Sequence, residues 1–194
     1  LWDILPSGKV IGGAPANFAY HVQELGESSV VVSSVGNDEL GREIISSLEN
    51  MEMSTEFLYV DNKHSTGASS VKIDKEGKAS YLIKEGVAWD YIPSSTLLCE
   101  LASKSAAVCF GTVAQRSELS RMTIQKFLGF MGQETIRVFD INLRQNYYSE
   151  EIIKTSLRFA NVLKLDLNEF SFVKKILKVN GDEKNILSEL SQKY

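Results

Sequence analysis

The chain has 194 residues, of which 43% are apolar and 24% charged, as in an ordinary globular protein with one or two domains. Its net charge of −4 offers no basic field for nucleic acid, and no apolar run approaches the roughly 20 residues of a membrane-spanning helix. Cys99 and Cys109 suggest no disulfide framework and have no metal-ligand spacing with His21 or His64. With no signal-peptide pattern at the start, the sequence favours a cytoplasmic protein.

Short apolar runs alternate with amphipathic segments along most of the chain. The predicted strands are mostly apolar and rich in β-branched residues, and they cover 29–34, 106–110, 136–141 and 161–165. The predicted helices have apolar residues at helical spacing, and they cover 15–25, 38–48, 117–131, 150–160, 168–177 and 183–192. Pro15 suits a first helical turn, and Asn37 or Asp38 suits a helix cap. Buried strands separated by helices predict a mostly parallel sheet covered on both faces.

Residues 55–91 have a different pattern from the rest of the chain. Three strand-like runs, 57–60, 67–73 and 79–83, are joined by polar turns, the second of them at 74–78. Their partial alternation predicts a small sheet with one exposed face, inserted into the α/β domain. Such a sheet is either a surface decoration or a lid over the carboxyl ends of the parallel strands, where open α/β sheets bind ligands.

The segment Gly12-Gly13-Ala14-Pro15-Ala16-Asn17-Phe18-Ala19 is the most informative. A glycine pair before a helix lets a ligand approach the backbone closely and leaves N–H groups available. Asn17, one turn into the helix, can donate and accept hydrogen bonds, which suits a hydroxyl-bearing ligand. A tight structural turn would use the same residues, so both interpretations remain open here. No G-x-x-x-x-G-K-[ST] loop and no strand followed by G-x-G-x-x-G occur, which excludes a Walker-type site and a Rossmann dehydrogenase.

Five ordered blocks resemble the PfkB-type, ribokinase-like carbohydrate kinases, and fructokinases in particular. The glycine-rich segment, with Gly26, Gly36 and Asn37-Asp38-x-x-Gly41 after it, resembles the first family signature. The other four blocks are L-W-D-I-L-P at 1–6, W-D-Y-I-P at 89–93, C-F-G-T-V-A-Q-R at 109–116 and F-D-I-N-L-R at 139–144. The resemblance implies a three-layer ribokinase-like α/β fold with a parallel central sheet and a small inserted β-sheet lid.

The resemblance also implies an activity. The intact enzyme would transfer the γ-phosphoryl group of ATP to a sugar hydroxyl with Mg²⁺, and a monovalent cation is a further candidate cofactor. Fructose is the first candidate substrate. Ribose, ketodeoxygluconate and nucleosides stay open, as does a catalytically silent sugar-binding homologue. The lid implies a homodimer, and the partners are otherwise the sugar and ATP.

Site residues follow from the matched motifs. Asp3, expected at the end of the first strand, matches the carboxylate that holds sugar hydroxyls, and an ionised carboxylate accepts such bonds well. Gly12, Gly13 and Asn17 match the sugar-binding helix entry. The remaining substrate candidates lie after the later strands, and they are Asp140, Asn142, Arg144 as a contact to the transferring phosphoryl group, and, as weaker candidates, Gln115 and Arg116.

Two departures from the family pattern affect the nucleotide side. Glu169 matches the glutamate of an N-x-x-E motif that organises magnesium and phosphate, through water, but Asp166 replaces its asparagine. The G-A-G-D motif, which supplies the general base and anion hole in these kinases, is absent. We therefore expect an incomplete α/β core at 1–54 and 92–194, without the C-terminal nucleotide-binding part, and a lid at 55–91. Both chain ends look cut, and the 194-residue chain alone is expected to be inactive.

Overall fold

The computed structural model describes residues 1–73 and 79–194, and for 71–73 and 79–81 it describes the backbone only. The predicted turn at 74–78 lies outside the described residues. The strands are β1 Trp2–Leu5, β2 Gly8–Ile11, β3 Ser33–Gly36, β4 Leu58–Asp61, β5 Ala68–Ile73, β6 Ala79–Ile83, β7 Ala107–Gly111, β8 Ile136–Asp140 and β9 Val162–Lys164. The helices are α1 Ala14–Glu24, α2 Glu39–Asn50, α3 Thr96–Lys104, α4 Glu118–Gly129, α5 Glu150–Phe159, α6 Leu167–Leu177 and α7 Glu183–Lys193.

The strands form two parallel sheets and one mixed sheet. In the parallel sheets β3 pairs with β4, and β7, β8 and β9 lie in that order. The mixed sheet has the order β2-β1-β5-β6, with only the central β1–β5 pair parallel. The alternation of parallel strands and helices confirms the predicted α/β class.

The pairing of the strands bears on the inserted sheet expected at 55–91. The run 57–60, expected in the lid, forms β4 and pairs in parallel with β3 after the crossover through α2. The Asp61 carboxylate accepts hydrogen bonds from the backbone N–H groups of Lys63 and His64, which form a turn after β4. β4 does not pair with β5, so this turn does not close a hairpin. Residues 2–11, expected in the core, supply β1 and β2 to the mixed sheet. Asp3 therefore lies within a strand and not at its end.

Helix α2 begins at a polar capping residue, as the sequence predicts. Asp38 is the N-cap of α2 and accepts from the backbone N–H of Gly41 at 2.8 Å. The same carboxylate accepts from the backbone N–H of Thr66 at 2.8 Å and from its hydroxyl at 2.6 Å, which ties α2 to the segment before β5. Helix α3, capped by Ser95, was absent from the prediction.

The two larger apolar clusters among the described residues stabilise the two parts of the α/β framework. The larger core surrounds β7–β9, where Phe139, Ile141, Ile153 and Val173 are fully buried. The smaller core surrounds β3 and α2 and includes Trp2. In the described parts of the chain, no helix has the length and apolarity needed to cross a bilayer.

Candidate active site

A cavity of about 410 Å³ lies where the mixed sheet, α1, β3 and β7 meet. It is lined by residues from both parallel sheets and by the loops that follow β7 and β8. Seven of the predicted site residues line it, and they are Asp3, Gly12, Gly13, Asn17, Asp140, Asn142 and Arg144. These residues lie far apart in the sequence, so the fold brings them together at one site.

The Asp3 carboxylate lies against the start of α1. A Cβ atom on Gly12 would lie 2.0 Å from Asp3 Oδ2, so only glycine lets the backbone pass this close to the carboxylate. Gly13 is the N-cap of α1 with φ of 112°, a conformation that side chains rarely adopt. The close approach of Asp3 thus requires glycine at position 12, and the backbone conformation favours glycine at position 13.

Burial raises the pKa of the Asp3 carboxyl, while the positive charge of Arg144 acts in the opposite direction. A desolvated carboxylate beside a helix N-terminus is a strong acceptor for hydroxyl groups. Asn17, on the first turn of α1, adds an amide that can both donate and accept. This side of the cavity therefore has the chemistry to bind a polyol.

A further part of the cavity wall is formed by the end of β8 and the loop after it. Asp140 is the last residue of β8, and its Oδ1 lies 3.0 Å from the Nζ of Lys164 on β9. Hydrogen bonding to Asp140 raises the pKa of Lys164, which keeps this amine protonated. Asn142 has a φ of 43°, which bends the chain so that Asn142 and Arg144 both line the cavity. Arg144 Nη1 donates to the Leu143 carbonyl oxygen at 2.8 Å.

Gln115 and Arg116 do not line this cavity. Gln115 is buried, and its amide donates at 2.9 Å both to the Gly111 carbonyl oxygen and to the Ser156 hydroxyl. Arg116 forms a buried bidentate pair with Asp90, at 2.7 Å from Nε and 2.8 Å from Nη2. Arg116 instead borders a second cavity of about 460 Å³. These contacts hold the loop after β7 in place.

Asp166 and Glu169 are engaged with the backbone. Asp166 is the N-cap of α6 and accepts from the N–H groups of Asn168 and Glu169. The buried Glu169 accepts from the N–H of Asp166 at 2.8 Å and from the N–H of Leu143 at 2.9 Å. Glu169 Oε1 thus ties the loop that carries Asn142 and Arg144 to the start of α6, while Oε2 closes the cap of that helix.

The magnesium contact through water that the family resemblance implies at Glu169 stays a prediction. Each Glu169 carboxylate oxygen accepts one hydrogen bond from a backbone N–H, and a carboxylate oxygen can accept a second bond from water. In residues 1–73 and 79–194, no three carboxylate, histidine or cysteine groups come together as metal ligands.

Sequence reasoning missed several residues of the site. Ser69 and Ile83 line the cavity and form a cross-strand row with Asp3, because Asp3 pairs with Ser69 and Ser69 pairs with Ile83. Trp89 also lines it, although the sequence singled out its block without giving the indole a role. Lys164 was missed because its position opposite Asp140 depends on the register of β8 and β9.

Comparisons with known proteins identify the family. The family model described as pfkB family carbohydrate kinase matches residues 7–193. An uncharacterized sugar kinase of Pyrococcus horikoshii is 30% identical over 179 residues, covering 89% of this chain and 57% of the relative. Its structure in complex with ATP superposes with a TM-score of 0.77 at 28% identity, covering 90% of this chain and 63% of that one.

A fructokinase of Salmonella typhimurium is 29% identical over 188 residues, covering 88% of this chain and 59% of the relative. The structure of a Xylella fastidiosa fructokinase with bound ATP has a TM-score of 0.82 at 21% identity, covering 99% of this chain and 62% of that one, and supports the fold. The chain belongs to the PfkB family of carbohydrate kinases and has its ribokinase-like fold. It spans nearly three fifths of the length of these curated relatives.

Proposed function

We propose that the natural protein containing this chain transfers the γ-phosphoryl group of ATP to a hydroxyl of fructose. The observation that carries the proposal is one cavity lined by the Asp3 carboxylate, the start of α1 and Arg144. The similarity to a Salmonella fructokinase over most of the chain supports fructose as the sugar.

Each side of the cavity has a separate task in this proposal. Asp3 accepts hydrogen bonds from two sugar hydroxyls, and Asn17 binds a further hydroxyl. Arg144 places a positive charge near the transferring group, where charge stabilisation and positioning supply most of the rate enhancement. Asp140, held by Lys164, carries a negative charge at the same wall.

Other hydroxyl-bearing compounds are alternative candidates for the substrate. Ribose, ketodeoxygluconate and nucleosides also present hydroxyl groups to a carboxylate and an amide, so fructose has to be tested against them. ATP with Mg²⁺ is the proposed cosubstrate, and a monovalent cation is an additional candidate activator.

Free Cys99 and Cys109 suit a reducing cytoplasm. A homodimer would cover Ile4 and Leu82, which are exposed on the outer face of the mixed sheet.

The test is ADP release by the natural protein across a panel of fructose, ribose, glucose, ketodeoxygluconate and a nucleoside. We expect the highest kcat/KM with fructose. A clear preference for another member would contradict the substrate and leave the kinase activity standing. Sugar binding without turnover under all conditions would favour the silent homologue.

A further inference from the structure

The chain contains two tryptophans, Trp2 and Trp89, and both are 6% exposed. The indole Nε1 of Trp2 donates to the Leu40 carbonyl oxygen at 3.0 Å. The indole Nε1 of Trp89 is also buried, but it has no hydrogen-bond partner among the residues that the structure describes. A tryptophan nitrogen is only a donor, and buried donors are normally paired, so the difference between the two indoles requires an explanation.

Neighbouring residues hold the Trp89 ring in its position. The Arg116 guanidinium lies 4.0 Å from the centre of the indole, and Asp90 holds that guanidinium through two hydrogen bonds. The nitrogen-bearing edge rests on Gly67, where a Cβ atom would lie 2.2 Å from Nε1. Glycine at 67 therefore leaves the space that the polar edge of the ring occupies.

The unpaired donor belongs to the candidate active site. Trp89 and Gly67 line the cavity that Asp3 and Asn17 also line. Ser69, 1% exposed, lies opposite Asp3 on the neighbouring strand and lines the same cavity. A buried donor without a partner among the described residues thus lies on the wall beside the proposed sugar anchor.

We propose that Trp89 is a sugar-contacting residue whose Nε1–H donates to one oxygen of the bound sugar and thereby contributes to sugar specificity. This inference rests on the proposed sugar-kinase function. A site that contains a buried donor rejects a ligand that lacks the matching acceptor, because the donor is then left unpaired. Arg116 acts through Trp89 as a positioning residue.

The test compares Trp89→Phe with the matched control Trp2→Phe in the natural protein. Both changes remove an indole N–H, but only Trp89 lines the cavity. We expect Trp89→Phe to raise the fructose Kd about tenfold, equivalent to about 1.4 kcal/mol. Trp2→Phe is expected to leave this Kd within about twofold. Calorimetric titration measures both values.

Fructose analogues that each lack one hydroxyl identify the contact. The analogue without the partner oxygen should bind wild type and Trp89→Phe with equal Kd, whereas the other analogues should keep the tenfold difference. Nitrogen-15 NMR of the wild type provides a second measurement that does not depend on the variant folding. Fructose should shift the Trp89 indole N–H resonance and leave that of Trp2 in place.

Two results would contradict the inference in different ways. Fructose binding with an unmoved Trp89 resonance, or with an unchanged Kd in folded Trp89→Phe, would overturn the contact and leave the proposed function intact. A wild-type protein that binds none of the sugars in the panel would overturn the proposed function and the contact together.

Discussion

Two groups of charged side chains, both predicted from the sequence as site residues, behave differently in the fold. Asp3 and Arg144 line the cavity, where a ligand can reach the site. Arg116 and Glu169 are directed into contacts with Asp90 and with backbone N–H groups. Charged residues in similar family motifs thus divide between those that line the cavity and those that support the loops.

The two roles can be separated by measuring stability and sugar affinity in substituted proteins. Supporting residues hold neighbouring segments through their hydrogen bonds, and their loss should lower the free energy of unfolding. Cavity residues line the space that a ligand would occupy, and their loss should lower sugar affinity at nearly constant stability.

The largest effect is expected from Arg116→Met. The change leaves the Asp90 carboxylate buried without its cation, which costs about 3–5 kcal/mol of unfolding free energy for a buried pair. Urea denaturation measures the loss. The control is Lys154→Met in the exposed Lys154–Glu150 pair, where a change below about 1 kcal/mol is expected. Equal effects of the two substitutions would refute the supporting role of Arg116.

Asp3→Asn should mainly affect the sugar. The variant loses a charged acceptor for hydroxyl groups, worth about 1–3 kcal/mol, so the sugar KM should rise by about one to two decades. Asn17→Ala should have a smaller effect in the same direction. The ATP KM should change much less, and steady-state kinetics with each substrate varied will separate the two. Unchanged sugar KM in both variants would mean that the site lies elsewhere.

Glu169→Gln should lower the stability of the protein more than its sugar affinity. The glutamine amide presents one oxygen where the carboxylate presents two, so Asp166 or Leu143 loses an acceptor. We expect the free energy of unfolding to fall by about 1–2 kcal/mol. Glu183→Gln, an exposed first-turn substitution in α7, is the control and should cost below about 0.5 kcal/mol. Similar costs for the two changes would argue against the loop contact.

The smallest effect concerns Asp38. Burial acts to raise its pKa, but hydrogen bonds from Thr66 and Gly41 outweigh this and hold the pKa below the ordinary value. A lowered folded-state pKa stabilises the protein above the unfolded pKa, and this stability is lost as the pH falls through the folded value. Asp38→Ala should cost about 1 kcal/mol at neutral pH. The difference between wild type and variant should shrink in acid, and a constant difference would contradict the account.

The sequence predicted what local patterns determine. Apolar periodicity located the strands after residue 100 and most helices, and the cap at Asp38 defined the start of α2. The glycine-rich segment predicted a turn into α1 with close approach to the backbone, and the structure shows the Asp3 carboxylate beside Gly12. These features depend on neighbours along the chain.

Strand pairing could not be predicted in the same way. Assignment of β4 to β3, and of β1 to β5, depends on contacts between distant segments that short polar turns do not specify. For the same reason, the sequence did not predict that Lys164 lies opposite Asp140 or which groups Glu169 contacts. Whether a carboxylate faces a ligand or a backbone N–H is decided by tertiary packing, and motif spacing carries no information about it.

One measurement tests the division between binding and supporting residues most directly. Asp3→Asn and Glu169→Gln each replace one carboxylate by an amide, and both variants are compared with wild type for sugar Kd and unfolding free energy. We predict that Asp3→Asn weakens sugar binding at least tenfold with little change in stability, and that Glu169→Gln lowers stability with a sugar Kd within about threefold. Weakened sugar binding in Glu169→Gln, together with normal binding in Asp3→Asn, would contradict the account.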